Sequence, residues 1–139
     1  MKIVVCGSMS LSRRMVEIER ELREQGHEVV LPEFTCEYAA MASLDKVVTE
    51  SARNKIDHDL IRRYFHKIRE GDAVLIVNED KNGVSGYIGG NSLLEMGFAY
   101  VLDKPIYILK PIPQMGYTDE IVAMQPIVLD GDLGNIRRD

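Results

Sequence analysis

The sequence predicts a single α/β domain over residues 1–139: a three-layer, Rossmann-like (flavodoxin-like) fold with a parallel five-stranded sheet and helices on both faces. Three observations predict it. Short β-branched runs alternate with segments of helical period, which implies right-handed crossovers between parallel strands. The first three runs stop at Gly7, Pro32 and Asn78, as buried strands leaving a sheet do. The chain has 139 residues, 45% hydrophobic and 28% charged, enough to bury one core without metal or disulfide staples.

The elements follow in order. Lys2 to Cys6 (KIVVC) reads as the first strand, and Leu11, Met15, Ile18 and Leu22 then recur at helical spacing until Gly26. His27 to Leu31 (HEVVL) is the second strand, closed by Pro32. Residues 33–50 carry no clean period and read as a loop with short helical pieces. Ile56, Leu60, Tyr64, Phe65 and Ile68 mark a second helix that stops at Gly71. Ala73 to Val77 (AVLIV) is the third strand, and Asn78 to Gly90, rich in Asn, Asp and Gly, is a loop. Leu93 to Leu102 is a third helix, apolar nearly all round and so expected to be buried. Pro105 to Leu109, a short helix over 118–124, and Pro126 to Leu129 complete the pattern.

Composition excludes several functions. The net charge of −5 argues against a surface for duplex nucleic acid. No apolar run approaches the roughly 18 residues of a membrane span, and Ile3-Val4-Val5 is too short for a secretory signal, so a cytoplasmic location and no membrane partner are expected. Cys6, Cys36 and the three histidines show no ligand spacing; plain thiols and no metal are the expectation. GxGxxG is absent, which points away from nicotinamide or flavin, and no cofactor is expected.

In such sheets a ligand sits outside the carboxyl ends of the strands, where strand order reverses. This selects the loops after strands one, three and four: Gly7 to Ser12, Asn78 to Ser92, and Lys110 to Tyr117. In the first, Gly7 permits close approach of a ligand, the helix start attracts an anion, and Ser8, Ser10 and Ser12 add hydroxyls. A helix cap by Ser10 or Ser12 explains the same residues. In the second, Gly89-Gly90 lets the backbone pass close to a ligand, and Asn91 or Ser92 opens the third helix toward it. Glu95 lies one turn inside that apolar helix with no basic residue at i±4. Either it faces a ligand, or Ser92-Leu93-Leu94-Glu95 is a capping box that uses it locally. Asn78, Glu79 and Asp80 stand at the carboxyl edge, where one of them can meet a sugar or base. Asp72, at the amino edge, reads as a turn residue. Met9, Met115 and Met124 are candidates for an apolar base slot, with core filling as the alternative.

GSMS after strand one, Asp72-Ala73-Val74 opening strand three, and Gly-Gly-Asn-Ser-x-x-Glu-x-Gly-x-Ala before Lys104-Pro105 together resemble the nucleoside 2-deoxyribosyltransferase superfamily. They also resemble its hydrolase branch, the 2′-deoxynucleoside 5′-monophosphate N-glycosidases. The similarity spans roughly residues 2–110, and Glu95-x-Gly97-x-Ala99 is its most specific part. The resemblance implies that Glu95 is a nucleophile forming a glycosyl ester, as in a retaining glycosidase. It implies a nucleoside or nucleotide as small-molecule partner, and a homo-oligomer. The loops at the carboxyl edge, with Tyr64, give the expected substrate contacts as Gly7, Ser8, Met9, Ser10, Asn78, Asp80, Gly89, Gly90, Asn91 and Ser92, and the resemblance to the hydrolase branch implies that Ser8, Ser10 and Ser92 hold a 5′-phosphate. Two positions depart from the family pattern. Tyr64 stands where an aspartate is usual, with Asp57 and Asp59 nearby, and Gly89 stands where Asp or Ser is common. Tyr64 or Tyr87 could hold the carboxylate by a hydrogen bond in their place. The departures keep a second reading open: a non-catalytic nucleotide-binding or sensing module of the same fold.

Overall fold

The computed structural model describes residues 1–40 and 59–136. Five parallel strands, β1 (Lys2–Cys6), β2 (Glu28–Val30), β3 (Ala73–Ile76), β4 (Ile106–Ile108) and β5 (Ile127–Val128), form one sheet. Their order is β2-β1-β3-β4-β5. Register is carried by pairs such as Val4 with Val74 and Val74 with Ile106. Among the described residues, five α-helices connect or flank the strands: α1 (Ser12–Glu24), α2 (Thr35–Ala39), α3 (Leu60–Glu70), α4 (Gly90–Val101) and α5 (Thr118–Ala123). The expected fold class is the observed one, with strand ends trimmed by a residue or two. Ile56, expected to open the second helix, lies outside the described residues.

Alternation along the strands sorts the core into two layers. Ile3, Val5, Leu75, Val77, Tyr107 and Leu109 face Met15, Ile18 and Leu22 of α1, and the carboxyl-terminal Leu133 and Ile136 close that layer. Val4, Cys6, Val74, Ile76 and Ile108 face Tyr64 and Ile68 of α3, Met96 and Ala99 of α4, and Ile121 of α5. Gly26, at φ +91°, turns the chain from α1 into β2.

The third predicted helix departs from expectation. It starts at Gly90, earlier than Leu93, and it is not buried all round. Ser92, Glu95, Met96 and Ala99 face inward, whereas Leu94, Tyr100 and Val101 are 48%, 53% and 83% exposed. Only one side of α4 meets the sheet, so its outer apolar residues have no layer to enter. No helix among the described residues is long and apolar enough to cross a membrane.

Candidate active site

Strand order reverses between β1 and β3, whose chain connections leave in opposite directions and open a crevice above their carboxyl ends. A cavity of about 250 Å³ lies there. Gly7, Ser8 and Met9 enter it from the β1 loop, Val77, Glu79 and Lys81 from the β3 loop, and Gly89 to Ser92 and Glu95 from the start of α4. Tyr38 and Tyr64 also line it, together with Pro32, Glu33 and Phe34 from the loop after β2.

Glu95 is 6% exposed and forms part of the cavity wall. The capping-box alternative does not hold. Gly89 is the N-cap, in extended backbone, and makes no side-chain cap, so Ser92 is already inside the helix. Glu95 therefore lies beyond reach of the cap and takes a bond from the Asn91 amide at 3.4 Å. On its core side it meets the Cys6 thiol and the Tyr64 phenol. Burial pushes the Cys6 thiol well up, and the Glu95 carboxylate, to which it is hydrogen-bonded, pushes further. Burial also pushes Tyr64 well up, with Cys6 and Glu95 adding to it. Both neighbours thus stay protonated beside the carboxylate. The Tyr64 hydroxyl donates to the Val5 carbonyl, not to Glu95, because the helix presents it to the end of β1. Tyr87 lies instead beneath the Lys81 ammonium.

The first loop behaves differently from a simple helix cap. Ser8 caps a 3-10 turn over Met9–Leu11, and its Oγ lies 2.9 Å from the Ser10 Oγ. Ser12 is buried and donates back to the Met9 carbonyl, so it turns away from the cavity. Gly7 packs closely: a Cβ there would sit 3.0 Å from the Met15 sulfur, which would have to shift. Arg13 donates to the Ala39 carbonyl outside the cavity.

Asn78 and Asp80 do not line the cavity. Asn78 is fully buried; its amide donates to the Gly86, Lys110 and Pro111 carbonyls and its Oδ1 accepts from the Lys110 N–H at 2.8 Å. Asp80 accepts from the Gly86 N–H at 2.8 Å. Gly86 itself is at φ +69°, and a Cβ would meet the Pro111 oxygen at 2.7 Å. These three residues weld the β3 loop to the β4 loop. That weld also removes Lys110 to Tyr117 from the site, since Tyr117 donates to the Ile88 carbonyl and shuts that side. The sheet order explains it: β4 lies beyond β3, whereas β2 lies beside β1 and brings Pro32 to Phe34 in. Met9 lines the cavity; Met124 packs against the core, and Met115 does not line it. Asp72 accepts from the Lys2 N–H at the amino edge. Asp59 pairs with Arg62 and does not line the cavity; Asp57 lies outside the described residues.

Sequence reasoning missed Lys81 and the loop after β2. Applying the carboxyl-edge rule to β2, the strand beside the crevice, would have found Pro32 to Phe34. Asn82-Gly83 is a two-residue hairpin signal that flags Lys81: both central residues have positive φ, and Lys81 and Val84 exchange backbone bonds at 3.1 and 2.9 Å. Two of the carboxylates lining the cavity are paired with arginines. Glu79 meets Arg14 at 3.2 Å and Glu33 meets Arg63 at 2.9 Å.

No protein-family model and no curated protein matches the chain. Among solved structures, it is similar to the Clostridium botulinum CMP N-glycosidase BcmB, with a TM-score of 0.52 and 15% sequence identity, covering 94% of this chain and 90% of that chain. The chain thus shares its α/β fold, over nearly its whole length, with a nucleotide N-glycosidase.

Proposed function

We propose that this protein cleaves or transfers the N-glycosidic bond of a nucleoside or deoxynucleoside, or of its 5′-monophosphate, with Glu95 as nucleophile. The observation that carries the reading is a shielded carboxylate on the wall of the switch-point cavity, freed from the capping role its sequence allows. The fold shared with a CMP N-glycosidase supports it. In the first step a Glu95 oxygen bonds to the anomeric carbon as the carbon–nitrogen bond breaks. The base leaves with the bonding electrons and takes up a proton. In the second step water, or another base, attacks the same carbon and releases a proton to solvent as the ester bond breaks, returning the carboxylate and balancing the proton taken up in the first step. Two displacements retain configuration. Asn91 orients the carboxylate, Gly7 and Met9 border the substrate with Gly89 and Gly90, and Ser8, Ser10 and Ser92 face a 5′-phosphate. We also infer that copies of this chain associate through the outer stripe of α4, where Leu94 and Val101 lie exposed.

One observation favours the second reading, a binding module without turnover. Tyr64, standing where the family usually has an aspartate, spends its proton on the Val5 carbonyl. The test is release of free base by wild-type protein and by Glu95→Gln. The proposal expects the variant to lose at least about 10³-fold in kcat while still binding substrate. Equal turnover in both sinks the mechanism, and binding without release in either supports the module.

A further inference from the structure

We infer that Lys81 is the specificity residue that makes this cavity prefer a nucleoside 5′-monophosphate over the free nucleoside. The inference rests on reading the cavity as a nucleotide site, and it adds a charge that the serines alone lack. Lys81 is the one cationic side chain among the described residues lining the cavity. Its Nζ lies 3.5 Å from the Ser10 Oγ, which is 2.9 Å from the Ser8 Oγ. An ammonium and two hydroxyls therefore converge where the β1 and β3 loops meet; Lys81 and Ser8 line the cavity, and Ser10 adjoins them without lining it. Besides Glu95, the carboxylates lining the cavity are Glu79, held by Arg14, and Glu33, held by Arg63. No carboxylate among the described residues pairs with Lys81; its other contact is the Tyr87 ring, 5.9 Å from Nζ to centroid.

The backbone beneath it is built to hold this position. Lys81 and Val84 close the Asn82-Gly83 turn, and Asp80 and Asn78 anchor the base of that turn to Gly86 and the β4 loop. A phosphate oxygen placed between Nζ and the serine hydroxyls gains a charge-assisted bond that a 5′-hydroxyl cannot match. An uncharged ligand leaves the ammonium with a ring face and one weak hydroxyl contact. The selectivity is therefore electrostatic, and it resides on the β3 loop, away from the carboxylate that would do chemistry.

The test uses the full chain carrying Glu95→Gln, which keeps substrates intact, with and without Lys81→Gln. The probes are the ribo- and deoxyribonucleosides of the four common bases, their 5′-monophosphates, and inorganic phosphate, titrated by calorimetry. The expected result is a monophosphate-over-nucleoside preference that falls about tenfold or more in Lys81→Gln and is partly kept in Lys81→Arg. Inorganic phosphate should compete only where Lys81 is present. A preference that survives Lys81→Gln, or a loss shared equally by nucleosides and monophosphates, overturns the inference. If phosphate binding needs Lys81 but the wild type releases no base, the glycosidase reading fails and this inference stands. Base release with a Lys81-independent preference gives the reverse. No binding of any probe overturns both.

Discussion

Asn78 and Glu95 are both buried polar residues near the same sheet edge, and they are used in opposite ways. Asn78 spends its whole amide on backbone groups of two loops. Replacing it by Ala strips several buried partners at once and should cost about 3 kcal/mol in urea unfolding, with the cavity residues themselves untouched. A loss below about 1 kcal/mol would contradict the clamp. From sequence alone Asn78 reads as a sugar contact, because its position at the carboxyl edge is legible and the direction of its side chain is not. Glu95 was legible as a candidate because an acid on an apolar helix requires a partner. Its neighbours Cys6 and Tyr64 carry a pH prediction. Both have folded values raised above their unfolded ones, so the folded state holds protons that the unfolded chain releases first. Their contribution is fully present below about pH 8 and is lost as pH rises through the range where free thiols and phenols ionise. Stability should therefore fall from pH 8 to 10, and Cys6→Ala should flatten that slope even if it lowers the starting value. An unchanged slope would remove Cys6 from the account.

At the scale of elements, the strands were easy to read and the start of α4 was not. Runs such as KIVVC and AVLIV are β-branched and buried on both faces, so their pattern leaves little choice. At α4 two signals conflicted. Ser92 and Glu95 match a capping box, yet the helix begins at Gly90 because extended Gly89 supplies the cap with no side chain. The consequence is functional: the first turn is left open to the cavity with no acidic side chain on it. The inner residues of the helix explain its burial, but Gly97 is different. A Cβ there would meet nothing within 4 Å, and its φ is not in the left-handed range. Gly97→Ala should therefore stabilise the isolated chain by about 0.5–1 kcal/mol, the usual helix-interior gain, read by thermal or urea unfolding. Destabilisation would mean that the glycine makes room for something outside the chain.

For the whole molecule, the order β2-β1-β3-β4-β5 decides what can be a site. Alternation of strands and helices predicts a parallel sheet, and the edge rule then picks its carboxyl side. Neighbour relations are what the sequence could not supply. They bring in the loop after β2 and leave out the one after β4. The same limit applies to α4: its composition looks buried, and only the packed fold reveals an outer stripe with Leu94 and Val101 exposed. Association through that stripe predicts dimers or larger species in sedimentation velocity at micromolar concentration, weakened by Val101→Glu. A monomer at all concentrations would rule the interface out.

The most direct measurement is chromatographic detection of free base from a panel of ribo- and deoxyribonucleosides and their 5′-monophosphates, run in parallel on wild type and Glu95→Gln. Base release is expected from the wild type, abolished in the variant while the variant still binds the same substrate. Base release that persists in Glu95→Gln, or none from any panel member with or without an acceptor base, would contradict the proposed mechanism.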